Sequence, residues 1–207
     1  MRVSKILTGQ LNVNTYYAVD ENTNKGFIVD PGGYHPALIK KIKQDNVDIM
    51  YVILTHAHHD HFGGIDEFLV EFPDSKFVAS VHEKKLLEDA DANFSNYFNG
   101  STTLKPDIYV EDGEILTVGE LELKFIHTPG HTPGGMCVYI EKEDCLFSGD
   151  TLLRQSIGRT DFPGSSLGSI KESITQKLFL LPEKTQVFPG HMEETDIGFE
   201  KRNNPFV

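Results

Sequence analysis

The sequence is poor in cysteine, in positive charge and in long apolar runs, and each shortage closes off a class of function. Its two cysteines, Cys137 and Cys145, stand in apolar, strand-like runs with no histidine adjacent. They read as buried structural thiols rather than a disulfide or a nucleophile. Lysine and arginine total 19 against 31 aspartates and glutamates, a formal charge of −12. That sign repels a phosphate backbone, so no nucleic-acid partner is expected. The longest apolar run, residues 49–54, falls far short of the roughly 18 residues of a membrane span, so no membrane partner is expected either. The opening stretch, MRVSKILTGQLNVNTYY, holds no apolar core of signal-peptide length, and a cytoplasmic location is expected.

What is present is ordinary globular composition, 39% hydrophobic and 24% charged, without tryptophan. A chain of this length buries roughly 70% of its unfolded surface. Residues 1–207 therefore read as a single domain. GFIVDPGG predicts a strand over residues 27–29, stopped by Pro31-Gly32-Gly33. HPALIKKIKQ predicts a helix opened near Pro36. DIMYVILTH predicts a continuous apolar strand, after which Gly63 and Gly64 lead into the helix IDEFLVEF and the strand KFVAS. Residues 83–106 begin helical and turn polar, which predicts a helix and a mobile loop, either a lid or a plain surface excursion. LELKFIHT, GMCVYI and CLFSGD then predict strands. Ser165 or Ser166 is placed to cap a helix over residues 167–180, before a last strand, TQVFPG. This mixed α and β order favours sheets covered by helices on their outer faces.

Four histidines and an aspartate crowd residues 56–61, within LTHAHHDHFGG. Other predicted strands deliver a single such residue at or just past their C-terminal ends: His131 in FIHTPGHTPGG, Asp150 in CLFSGD and His191 in VFPGH. Strand ends gathered on one side of a sheet make a shared rim. Imidazoles with carboxylates are the usual ligands of zinc, iron or manganese. His56, His58, Asp60, His61, His131, Asp150 and His191 exceed the ligand count of one tetrahedral ion. Two divalent ions are therefore expected, zinc first, with iron or manganese as alternatives, and Asp150 is suited to bridge them. His59 is expected to point away, His127 to be supporting or structural, and His35 and His82 to be surface residues.

THAHHDH resembles the HxHxDH signature of the metallo-β-lactamase superfamily, and HTPGHTPGG, FSGD and VFPGH resemble its later motifs in order. The resemblance covers nearly the whole chain. It implies an α+β fold, an αββα sandwich of two mixed sheets flanked by helices, with the site at the sandwich edge. It implies His56, His58 and His131 as one metal site, Asp60, His61 and His191 as the second, and Asp150 as the bridge. Asp30 resembles a buried aspartate that supports the site; read without the family, it is a turn residue. SGDTLLRQSIGRTDFPGSS and TDIGFEKRNNPF resemble the short glyoxalase II-like branch, the hydroxyacylglutathione hydrolases. That implies hydrolysis of a small-molecule thioester of the S-2-hydroxyacyl-thiol type. Arg159 falls near a cationic substrate contact of that branch; the alternative is an ion pair with Asp161. Glyoxalase II proper continues with a helical domain that grips glutathione, whereas 16 residues follow His191 here, so glutathione itself is not implied.

Two cations sharing a water bring its pKa toward neutrality. Asp60 would then be the catalytic residue, orienting the nucleophile and taking its proton. A thiolate, with a pKa of about 8.5, leaves without a strong general acid. The main rival is a persulfide dioxygenase, which the chain resembles in GRTDF and which would hold one iron on His56, His131 and Asp150. A lactonase shares the same metal core. A purely structural zinc site would be closed and rich in thiolates, and this residue set contains no cysteine.

Overall fold

The computed structural model describes residues 1–98 and 100–207. The first half of the chain builds one sheet. Strands β1 (Arg2–Thr8), β2 (Val13–Asp20) and β3 (Lys25–Val29) pair antiparallel, and β4 (Asp48–Ile53), β5 (Lys76–Ser80) and β6 (Ile108–Val110) add in parallel. The parallel steps require crossovers, supplied by α1 (Pro36–Asp45) between β3 and β4 and by α2 (His59–Phe62) and α3 (Ile65–Glu71) between β4 and β5. One turn of helix, α4 (Lys84–Leu87), lies before β6. The second half builds the other sheet from β7 (Ile115–Val118), β8 (Leu121–His127), β9 (Met136–Ile140) and β10 (Cys145–Gly149). A small hairpin, β11 (Leu152–Leu153) with β12 (Ser156–Ile157), precedes α5 (Leu167–Gln176). The strands β13 (Gln186–Pro189) and β14 (Thr195–Asp196) and the helix α6 (Ile197–Asn203) follow. The spatial order is β14-β13-β10-β9-β8-β7, mixed because β13 runs parallel to β10.

Strand alternation explains the layering. On β2, Tyr16 and Ala18 face the other sheet, while Tyr17 and Val19 face the helices. Both faces of the strand are buried, so Tyr16, Tyr17, Ala18 and Val19 run apolar without alternation. Three apolar clusters result. Tyr16, Phe27, Ile53, Leu123, Phe125, Val138 and Phe147 fill the space between the sheets. Tyr17, Ile28 and Val52 meet Leu38, Ile42, Ile65 and Phe68 of α1 and α3. Cys137, Tyr139, Leu146 and Val187 meet Ile170 and Ile174 of α5. The fold is α+β, two mixed sheets flanked by helices, as expected.

Local chemistry accounts for the helix ends. α1 begins with Pro36 at its first position, and His35 caps it, Nδ1 accepting from the Leu38 amide at 3.1 Å. The surface residue expected at position 35 is thus a cap. Ser166, of the two candidates, caps α5 by accepting from the Ser169 amide. That helix stops at Gln176 and passes into a 3₁₀ turn, Leu178–Leu180, short of the expected residue 180. The expected helix at the start of residues 83–106 is a single turn, α4. The rest of the stretch is tied down by its own polar groups: Asn93 Nδ2 donates to the Thr102 carbonyl at 3.0 Å, and the Thr102 amide to Ser95 Oγ at 3.0 Å. Asn99, within that stretch, lies outside the described residues. Both cysteine thiols are free and buried, and burial pushes Cys137 up to about 11 and Cys145 up to about 12. Among the described residues, no helix is long and apolar enough to cross a membrane.

Candidate metal centre

The candidate residues arrive from both sheets at one edge of the sandwich. β4 leads into residues 54–58, and α2, only four residues long, turns Asp60 and His61 inward. β8, β10 and β13 lead respectively to His131, Asp150 and His191. All seven side chains expected from the sequence come together. His58 Nδ1 lies 3.0 Å from His131 Nε2, and His191 Nε2 lies 3.1 Å from Asp60 Oδ2. His61 Nε2 is 3.6 Å from Asp60 Oδ2. Asp150 stands between the two halves, Oδ1 3.7 Å from His61 Nε2 and Oδ2 3.7 Å from His131 Nε2 and 3.8 Å from His191 Nε2. Three triads have ligand atoms within 4.8 Å of one another: His56, His58 and His131; Asp60, His61 and His191; and His56, His61 and Asp150.

The outer nitrogens of three imidazoles are fixed by the surrounding structure. His56 Nδ1 donates to Thr55 Oγ1 at 3.1 Å, and that hydroxyl donates to Asp30 Oδ2 at 2.7 Å. His61 Nδ1 donates to Asp30 Oδ2 at 2.9 Å, and His131 Nδ1 to the Arg159 carbonyl at 2.8 Å. With the outer nitrogen protonated, His56 and His131 present an Nε2 lone pair to the interior, and His61 does so once a cation takes the place of its Nε2 proton. His56 Nε2, His61 Nε2 and Asp150 Oδ1 are buried there with no hydrogen-bond partner among the described residues. Uncompensated buried polar atoms are costly. Imidazole and carboxylate donors converging with supported outer nitrogens fit a pair of borderline divalent cations.

The electrostatics point the same way. Burial pushes His56 well below its ordinary range and His58 down to about 3, with neighbouring imidazoles adding to the effect, and burial also lowers His131. These rings are neutral at pH 7, the form that binds metal. Burial likewise opposes the His61 imidazolium, but Asp60, Asp150 and Asp30 together outweigh it and raise His61 to about 10. Burial also opposes ionisation of Asp60, yet His61 and His191 hold its carboxyl below the usual carboxylate range. Three carboxylates aimed at one buried ring are a demand for positive charge.

Asp30 is a support for the site rather than a plain turn residue. It is 1% exposed, sits at φ 50°, and accepts from the Thr55 amide at 2.8 Å as well as from Thr55 Oγ1 and His61. His59 turns away, its ring stacked on Phe98 at 5.0 Å. His127 Nε2 donates to the Pro133 carbonyl at 3.0 Å, and its ring stacks on His82 at 4.4 Å, away from the centre. Arg159 reaches the rim with its guanidinium fork on Asp161, at 2.9 and 2.7 Å, and its face over Phe162 at 4.3 Å.

Sequence reasoning misses Glu83. Fully buried, it accepts from the Ala57 amide at 2.8 Å, from Thr132 Oγ1 at 2.6 Å and from the Gly134 amide at 2.7 Å. It thereby joins the loop carrying His56 and His58 to the loop carrying His131. In VHEKKLLED it looks like any surface acid. Also missed is an aromatic cleft of about 510 Å³ over the centre, lined by Phe94, Phe162, Leu153, Ile157, Leu11 and Met192 around His58, Asp60, His131, Asp150 and His191. These residues come from four separate segments of the chain and carry no periodic signal.

Residues 8–191 match the family model of the metallo-beta-lactamase superfamily. The probable metallo-hydrolase YqgX of Bacillus subtilis is 37% identical, covering all of this chain and 98% of that protein. The hydroxyacylglutathione hydrolase GloC of Haemophilus influenzae is 32% identical over 87% of this chain and 86% of its own. The crystal structure of the BLEG-1 B3 metallo-beta-lactamase superposes with a TM-score of 0.92 at 38% identity, covering 99% of each chain. A chain whose matched span carries every one of the seven converging side chains, on a shared two-sheet frame, belongs to the metallo-beta-lactamase superfamily and is a metallo-hydrolase.

Proposed function

We propose that the protein hydrolyses a small-molecule thioester, of the S-2-hydroxyacyl-thiol type, with two divalent ions. The observation that carries this reading is Asp150, whose two oxygens face His61 on one side and His131 and His191 on the other. His56, His58 and His131 would hold one ion, Asp60, His61 and His191 the other, and Asp150 both. Zinc, iron and manganese all suit this donor set. Two such cations supply Lewis acidity at a carbonyl oxygen and a water that ionises near neutral pH.

The chain's own residues do the rest. Asp60, held ionised by its imidazole neighbours, lines both the cluster and the cleft. Its carboxylate orients the attacking water and takes its proton. Thr55, Asp30 and the Arg159 carbonyl keep the rings from rotating, which preserves alignment. Beyond the seven residues, Tyr97 and Arg159 are the ionisable side chains among the described residues lining the cleft, and Arg159 is engaged by Asp161. A site so short of proton donors suits a leaving group that departs as an anion, as a thiolate of pKa about 8.5 does. The name of the Haemophilus relative, a hydroxyacylglutathione hydrolase, supports the same chemistry. The cleft is of small-molecule size, and the formal charge of −12 disfavours nucleic acid.

Protein purified without chelator is expected to hold two ions per chain and to hydrolyse S-lactoyl thioesters. Asp60→Asn is expected to lower turnover about a hundredfold or more with circular dichroism unchanged. A single iron with oxygen uptake on a persulfide, or a lactone or β-lactam preferred over every thioester, overturns the reading.

A further inference from the structure

The cleft itself narrows the substrate class, on the reading that the centre cleaves thioesters. The Phe94 ring lies 5.0 Å from His58 and 5.0 Å from Phe162, and the Phe162 ring lies 5.3 Å from His58 and 6.0 Å from His131. Together the two rings roof one triad. Phe94 holds that place at φ 68°, a left-handed conformation that a bulky side chain adopts only when its surroundings impose it. Opposite, Leu11 and Met192 stand at the cleft while 52% and 56% exposed.

Away from the residues of the centre, charge is scarce in this cleft. Arg159 is the one lysine or arginine among the described residues lining it, and both prongs of its fork already lie on Asp161. The flat face of the guanidinium covers Phe162 at 4.3 Å. A substrate carboxylate seeking that Nε–Nη2 edge must displace Asp161 and so gains little. Elsewhere along the walls it gives up water for phenyl and alkyl groups, which is unfavourable.

We propose that the preferred substrate is a thioester whose thiol portion is uncharged and apolar, and that Phe94 and Phe162 determine this preference. A doubly carboxylated thiol such as glutathione is accordingly the poorer carrier. The roof acts by stacking on and desolvating the apolar arm, and Arg159 acts as a brace for Phe162 rather than as an anion contact.

The test has a binding arm and a kinetic arm, both on metal-loaded protein. Calorimetry compares two non-hydrolysable thioethers with the same S-hexyl group, one on N-acetylcysteamine and one on glutathione. Kinetics compare the matching D-lactoyl thioesters. The uncharged partner is expected to win by about tenfold or more in both Kd and kcat/KM, one such factor being about 1.4 kcal/mol. Phe162→Ala and Phe94→Ala are expected to erase most of that ratio, chiefly through KM, with Phe162→Leu restoring part of it. Arg159→Gln is expected to leave the ratio within about threefold, since each ligand loses the same brace. Tighter binding and faster turnover of the glutathione ligands, or an Arg159→Gln penalty confined to them, overturns the proposal. Preferential binding of the uncharged thioether without any thioester turnover upholds the cleft's preference and overturns the thioesterase reading.

Discussion

Replacing Asp30 separates support of the metal centre from support of the fold. Its carboxylate accepts three hydrogen bonds, from the Thr55 amide, Thr55 Oγ1 and His61 Nδ1, at 2.8, 2.7 and 2.9 Å, and it is 1% exposed. Asp30→Ala strands buried donors on both neighbours. Removing one partner of a buried charged network costs about 3–5 kcal/mol. The left-handed φ of 50° adds about 1 kcal/mol for alanine. Asp30→Asn is a gentler probe. Asparagine tolerates the same φ and can keep the Thr55 amide bond, so a loss of only about 1–2 kcal/mol is expected. The introduced amide nitrogen, however, faces His61 Nδ1, and two donors cannot share that contact. The ring then accepts at Nδ1 and carries its proton on Nε2, the atom aimed at Asp60 and Asp150. Metal affinity should fall about 10–100-fold through this tautomer change. Chemical denaturation gives the first quantity, and metal retention against a competing chelator gives the second. Asp30→Asn that binds metal within threefold of the unaltered protein, or Asp30→Ala within about 1 kcal/mol of it, refutes the reasoning.

Three further outcomes follow from the same geometry. Glu83→Ala leaves the Ala57 and Gly134 amides unpaired in the interior, and a loss of about 3 kcal/mol is expected by urea denaturation, with Glu83→Gln losing less. Gly190→Ala places a methyl 2.5 Å from Asp150 Oδ1 and 2.6 Å from His61 Cε1, so the bridging carboxylate must shift. Turnover should drop about a hundredfold, and metal analysis should find fewer than two ions per chain. The Cys137 thiol, raised to about 11 by burial, holds its proton more tightly folded than unfolded. Its contribution is therefore complete below the unfolded thiol pKa and is lost as pH rises from about 9 toward 11, by about 2 kcal/mol at pH 10.5. Urea midpoints should show that extra alkaline decline in the unaltered protein and a shallower one in Cys137→Ala.

The seven converging residues were legible because their motifs follow the ends of apolar strands, Asp150 and His191 closely and the others within a short turn or helix. A strand is readable from its own composition, and its last residue is placed by the sheet it joins. The sandwich was legible only through the family motifs: the strand carrying Tyr16 and Tyr17, which serve two cores on opposite faces, was not read, because VNTYYAVD shows no clean alternation. Glu83 was illegible because its meaning lies in donors 26 and 51 positions away, which the local sequence does not encode. Phe94 was illegible because its contact with Phe162 bridges two irregular segments that lack a periodic pattern.

That division has a functional consequence. The legible residues lie at or past strand ends and build the candidate metal centre. The illegible aromatic lining rides on loops, where side chains can change without disturbing either sheet, whereas the equally illegible Glu83 braces the loops of the centre. On the proposed reading, chemistry and selectivity lie on different parts of this chain. A variant at Phe94 or Phe162 should move substrate preference at constant metal content, whereas one at Asp30 or Gly190 should move metal content and every substrate together.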